Sequence, residues 1–170
     1  MEGTAVTGVE SEALSGDYLA AWNARDPDRI ASFFAEAAVY DDRGLGVVLH
    51  GPGEIRAHAA RVHAAFPDLS FALVRLAHGD GFTAGEWRSR MTHSGGFEGL
   101  APTGRVAESA GVDVATFDAE GRITHLVSYY DGAQIMRDLG VLPGRGSRAE
   151  RAVVRLASLA AGLRRRLTRG

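Results

Sequence analysis

The chain has 170 residues, 45% of them hydrophobic and 24% charged, with a formal charge of −2. This is the composition of an ordinary globular protein, long enough to bury roughly 70% of its unfolded surface as one domain. It contains no cysteine and no lysine, which excludes disulfides, thiolate nucleophiles, cysteine-ligated zinc, iron–sulfur centres and Schiff-base chemistry.

The charge is unevenly spread. Residues 144–170 carry eight arginines against Glu150 alone, a balance of +7, and the preceding 143 residues carry −9. No run of about 18 apolar residues is present to span a bilayer. The start, Met1-Glu-Gly-Thr-Ala-Val-Thr-Gly-Val-Glu-Ser-Glu12, has neither the basic nor the apolar region of a secretory signal, so a cytoplasmic location is expected.

Residues 1–12 read as a flexible start. From Glu12 to Ala24, Leu14, Tyr18, Leu19, Ala21 and Trp22 recur at helical spacing, and the Asn23 to Pro27 segment ends the run. Pro27 then opens a second helix expected to reach Phe34, because proline's fixed φ suits a first turn. Residues 38–42 and 47–50 form a hairpin about the Gly-rich turn 43–46. A third helix starts in Gly51-Pro-Gly-Glu54, carries Ile55, Ala59, Val62, Ala65 and Phe66 on one stripe, and stops at Pro67.

Beyond Pro67 the period becomes alternating. Strands are expected over 69–77, 82–93, 105–117 and 122–130, with a turn at 78–81, a glycine- and proline-punctuated loop at 94–104 and a turn at 118–121. Three helices followed by four long antiparallel strands define an α+β fold with one sheet curled against the helices. A short helix at 132–139 follows the last strand.

Several residues stand out chemically. In a regular last strand, Ile123, His125, Val127, Tyr129 and Asp131 share one face; an imidazole, a phenol and a carboxylate among Ile and Val read as a pocket wall. Asp131 is therefore a candidate general acid and base, its pKa raised by an apolar surrounding that includes Val127, Tyr129, Ile135 and Leu139. The bland reading is an N-cap for the helix after it. His125 and His93, in strands expected to face the cavity, could polarise a carbonyl, although a strand histidine is more often simply hydrogen-bonded. Asp113 lies within an apolar strand, where a charge must find a partner, water or a cavity. Tyr18, Trp22, Phe33, Tyr40, Phe66 and Trp87 sit on elements facing the same interior, where they serve as core or as lining for a flat apolar substrate. His50, His58, His63 and His78 have no clustered carboxylates, and no metal-binding spacing occurs.

Four strings, Tyr18-Leu-Ala-Ala-Trp-Asn-Ala-Arg-Asp-Pro27, Ala65-Phe-Pro-Asp-Leu69, Gly99-Leu-Ala-Pro-Thr-Gly-Arg105 and Tyr129-Tyr-Asp-Gly-Ala-Gln-Ile-Met-Arg-Asp-Leu-Gly140, occur in an order that resembles the SnoaL-like polyketide cyclases of the nuclear transport factor two-like superfamily. The resemblance spans roughly 13–142. It implies a cone-shaped α+β barrel around an apolar cavity, a ring closure by intramolecular aldol condensation without metal or cofactor, and acid–base catalysis by the carboxylate matching Asp131. It also suggests that Asp113 lends its side chain to the pocket. The same superfamily supports other outcomes: an epoxide hydrolase using Arg88 or Arg90 with Asp113 and Asp131, an isomerase, dehydratase or hydroxylase, or a binding module without catalysis. The expected partners are an apolar or aromatic small molecule and a second copy paired through the outer sheet face; Phe82, Ala84, Val106, Val112, Val114 and Leu126 are candidates for either face of the sheet. Nucleic acid is not expected.

The chain thus divides into a start at 1–12, a SnoaL-like domain at 13–143 and a basic tail at 144–170. In the tail, Ser147 and Glu150 have capping-box spacing, and Val153, Leu156, Leu159, Leu163 and Leu167 recur at helical intervals. A helix over 148–167 is expected to dock its apolar stripe on the acidic body, with an anionic membrane as the lesser alternative.

Overall fold

A computed structural model describes residues 8–79 and 81–167. The elements run helix α1 (Gly8–Ala24), α2 (Pro27–Ser32), strands β1 (Phe34–Asp42) and β2 (Val47–His50), and helix α3 (Gly51–Ala65). Strands β3 (Ser70–Gly79), β4 (Phe82–Thr92), β5 (Val106–Phe117) and β6 (Ile123–Tyr130) follow, then helices α4 (Gly132–Asp138) and α5 (Arg148–Leu167). The expected flexible start lies outside the described residues at 1–7, while 8–12 already belong to α1. The 78–81 turn includes position 80, which also lies outside them.

The six strands form one curled, unclosed sheet in the order β2-β1-β6-β5-β4-β3. This is the expected α+β architecture. Its one parallel pair, β1 with β6, brings the N-terminal hairpin into the main sheet. That pairing also shortens α2 relative to the expected end at Phe34: Ile123 N–H donates to Phe33 C=O at 2.8 Å, and Phe34 pairs with Ile123. Sheet partnership overrides a local helical reading.

The inner face of the sheet packs on α1 and α3. Tyr18, Trp22, Ile30, Ile55, Ala59, Phe66, Leu126 and Leu139 are all buried, each large aliphatic or aromatic side chain stabilising the fold by roughly 1.5–3 kcal/mol. The C-terminal end of α1 is fixed to β3 by one side chain. The Asn23 amide donates to Phe71 C=O at 3.0 Å and its Oδ1 accepts the Phe71 N–H at 2.7 Å, so a side-chain amide substitutes for a missing strand neighbour.

The last strand departs from the regular alternation. Thr116 pairs with His125 but Phe117 pairs with Ile123, so β6 carries one extra residue at Thr124, a β-bulge that reverses the facing of everything after it. Ile123 is buried, but His125 and Tyr129 are exposed, while Leu126 and Ser128 are buried. The shared pocket face expected for Ile123, His125, Val127, Tyr129 and Asp131 is therefore not formed. For the same reason Leu126, left open to either face by its sequence, is 1% exposed and belongs to the core.

The tail helix begins as its spacing predicts. The Glu150 N–H donates to Ser147 Oγ at 3.0 Å, and Glu150 in turn accepts the Gly146 N–H. It does not dock as expected, because residues 151–161 are exposed throughout. Among the described residues no helix is long and apolar enough to cross a membrane.

Candidate active site

The inward rows of neighbouring strands meet in tiers. Asp42 on β1 is level with Ser128 on β6, Ser128 with Asp113 on β5, and Asp113 with Gly85 on β4. One tier on, Tyr130 is opposite Gly111, and Gly111 opposite Trp87. Strand spacing then sets Asp42 and Asp113 about 10 Å apart across the sheet, with Ser128 between them.

Asp42, Trp87, Asp113, Ser128 and Tyr130 line a cavity of about 90 Å³, together with Tyr18, Leu19, Trp22, Tyr40, His58, Phe66 and Ile135 among others. That space exceeds severalfold the minimum for one water. A smaller lobe of about 40 Å³ reaches toward Leu14, Phe33 and Leu73. Asp113, Trp87, Tyr18 and Leu19 line both lobes, so Asp113 stands where the two meet.

The two donors to Asp113 converge on one of its oxygens. Trp87 Nε1 donates to Oδ1 at 2.8 Å, and Ser128 Oγ donates to the same Oδ1 at 2.6 Å. Its Oδ2 accepts no hydrogen bond from a described residue. Burial pushes the carboxyl up to about 6 against the pull of both donors, and the Asp42 charge adds to the rise. Such a group is ionised at neutral pH yet returns a proton readily.

Asp42 is differently placed. Its Oδ1 accepts the Leu45 N–H at 2.9 Å and its Oδ2 accepts Tyr130 Oη at 3.0 Å, so both oxygens are committed to holding the β1–β2 turn and the phenol. Burial raises its pKa as well. Tyr40 Oη lies 3.3 Å from Ser128 Oγ, whose hydrogen is directed to Asp113. Burial raises Tyr18, Tyr40 and Tyr130 well above the ordinary phenol range, which keeps all three as donors. Burial lowers His58 to about 4, so its imidazole is neutral and available to a carbonyl oxygen.

Among the residues singled out in the sequence, Asp113, Tyr18, Trp22, Tyr40, Phe66, Trp87 and Ile135 come together at the main lobe, and Phe33 lies at the smaller one. Four others do not line either lobe. Asp131 is the N-cap of α4, accepting the Gln134 N–H at 2.9 Å, and sits 3.6 Å from the exposed guanidinium of Arg145. His125 and Tyr129 face outward because of the bulge. His93 is fully buried, but its Nδ1 accepts the Thr103 N–H at 3.2 Å and its ring lies 5.2 Å from Phe66, so it closes the 94–104 loop. Arg88 and Arg90 are exposed on the face opposite Asp113. Asp42, His58, Ser128 and Tyr130 were not recognised from sequence; even parity along β6 would have indicated the last two had the bulge been legible. Among the described residues no group of three or more His, Asp or Glu is placed to hold a metal ion.

A curled sheet wrapped on helices around a polar-ended apolar cavity defines the nuclear transport factor two-like class. The profile of the SnoaL-like polyketide cyclases matches residues 12–139, and the chain belongs to that family. Solved structures agree at the level of fold. AclR from Streptomyces galilaeus, provisionally a hydroxylase, is 22% identical, covers 93% of this chain and 98% of its own, and has a TM-score of 0.73. IdmH from Streptomyces antibioticus, provisionally a polyketide cyclase, is 22% identical over 76% and 97% of the two chains, with a TM-score of 0.65. A protein from Catenulispora acidiphila with a ketosteroid isomerase-like fold, in complex with trimethylamine, is 16% identical over 75% and 92%, with a TM-score of 0.67. No curated protein matches the sequence.

Proposed function

We propose that this chain is a cofactor-independent enzyme that closes a ring in a polyketide-like ester by intramolecular aldol condensation, with Asp113 as its acid–base group. The observation that carries this reading is the one-sided hydrogen bonding of Asp113: two donors fix Oδ1, and Oδ2 is left for a substrate proton inside an apolar cavity. Asp113 takes a proton from the carbon between two carbonyls, the enolate carbon bonds to the acceptor carbonyl, and the carboxylic acid so formed returns the proton to the new alkoxide. Neutral His58 is placed to polarise a carbonyl oxygen, and Trp22, Phe66 and Trp87 offer aromatic surface to a flat substrate. Asp131 is given the cap role alone.

The epoxide hydrolase alternative gains no support, since Arg88 and Arg90 are turned away from Asp113. A binding module is the competing reading, because the same cavity serves it. The outer sheet face, where Phe82, Val106 and Tyr129 are exposed, supports pairing with a second copy. The test is turnover of aromatic β-keto esters by the wild type and by Asp113→Asn. Ring-closed product that disappears in the variant while ligand affinity survives supports catalysis; an absence of turnover in both, with affinity lost in the variant, supports binding instead.

A further inference from the structure

Helix α5 lies beyond the family match, which ends at residue 139, and the cavity makes no use of it. On a helix of 3.6 residues per turn, Leu159, Ala152, Leu156, Ala149, Ala160 and Val153 fall within an arc of about 120°, and Arg151, Arg155 and Arg148 fill about 60° beside it. The sequence continues the pattern with Leu163 and Leu167 in the apolar arc and Arg166 in the arginine sector, while Arg164 and Arg165 add further charge outside it. Val153, Val154, Leu156 and Leu159 are 54–67% exposed. So large an apolar surface in water calls for a partner.

We propose that this arc packs against the acidic body of a second copy of this chain, as an arm reaching out from its own domain. The helix does not lie on its own body, its residues 151–161 being exposed, and its connection to the domain is ordered. The Val141 and Leu142 N–H groups donate to Met136 C=O at 2.9 and 3.1 Å, Arg145 pairs with Asp131, and the Ser147 cap fixes where the helix starts.

Charge selects the occupant. Two α5 helices packed on each other would bring +5 against +5 (six arginines and Glu150 in each), whereas α5 on a body of −9 brings opposite signs together. An anionic bilayer would attract the arginines but repel the acidic body tethered a few residues away. Nucleic acid would leave the leucine arc unused. Exchange of two arms about a two-fold axis satisfies both copies at once.

The experiment is sedimentation velocity of the full chain at low micromolar concentration, beside a variant carrying Leu156→Glu and Leu159→Glu, whose thermal unfolding shows that the body is intact. The wild type is expected to sediment as a dimer, its dissociation constant rising about tenfold or more in the double variant. Arg151→Glu with Arg155→Glu should weaken association as well. A monomeric wild type overturns the proposal, whether or not it floats with phosphatidylglycerol vesicles. A dimer equally tight in both leucine forms, as pairing through the sheet alone would give, also overturns it.

Discussion

Trp87 and Asp113 are joined by a hydrogen bond that depends on a missing side chain between them. A Cβ at Gly111 would lie 2.5 Å from the indole Cζ2 and 2.6 Å from the Tyr129 carbonyl oxygen, so only glycine lets the indole lie across β5 and reach the carboxyl. Gly111→Ala should displace Trp87, cost about 1–3 kcal/mol as overpacking does, and remove activity that depends on Asp113. Chemical denaturation and a turnover assay check both effects.

Asp113 should also register in stability. Its folded pKa of about 6 exceeds the ordinary 3.8, so the folded protein holds the proton more tightly than the unfolded chain. The group then costs nothing below pH about 4 and destabilises increasingly as pH rises to 6 and beyond, by at most about 3 kcal/mol. Asp113→Asn keeps an oxygen for the Trp87 and Ser128 donors and removes the buried charge. The variant should melt above the wild type at pH 8, with the difference closing by pH 4.

Asp131 is a structural carboxylate in this account. Asp131→Ala should lose the cap on α4 and about 1 kcal/mol of stability, with little contribution from the exposed Arg145 pair. Asp131→Asn retains a capping oxygen and should be close to wild type in both stability and rate. Thermal melts and turnover of the two variants separate the cap from chemistry.

Most of the fold was legible because it rests on local patterns: the stripes of α1 and α3, the proline stops, and the alternation from Ser70 to Tyr130. The capping box of Ser147 and Glu150 was legible for the same reason. The facing of β6 was not, since one extra residue at Thr124 inverts the parity of His125, Tyr129 and Ser128, and nothing in Arg-Ile-Thr-His marks a bulge. The parallel pairing of β1 with β6 was equally hidden, and with it the tier that aligns Asp42, Ser128 and Asp113. Asp113 could be singled out because a carboxyl in an apolar strand demands an explanation on its own. Its partners required the register. The tail helix could be read from its cap and period, but which surface it meets is a property of the assembled charge and of the connection at 140–147.

Removal of a proton from carbon by Asp113 is measured by deuterium exchange at the carbon between the carbonyls of an aromatic β-keto ester in D2O, followed by NMR. This needs no ring-closed product. The wild type should accelerate exchange with a rate that rises through pH about 6 and then levels, Asp131→Asn should match it, and Asp113→Asn should fall by about 10²–10⁴-fold. Exchange that persists in Asp113→Asn, or that vanishes in Asp131→Asn, would contradict the account.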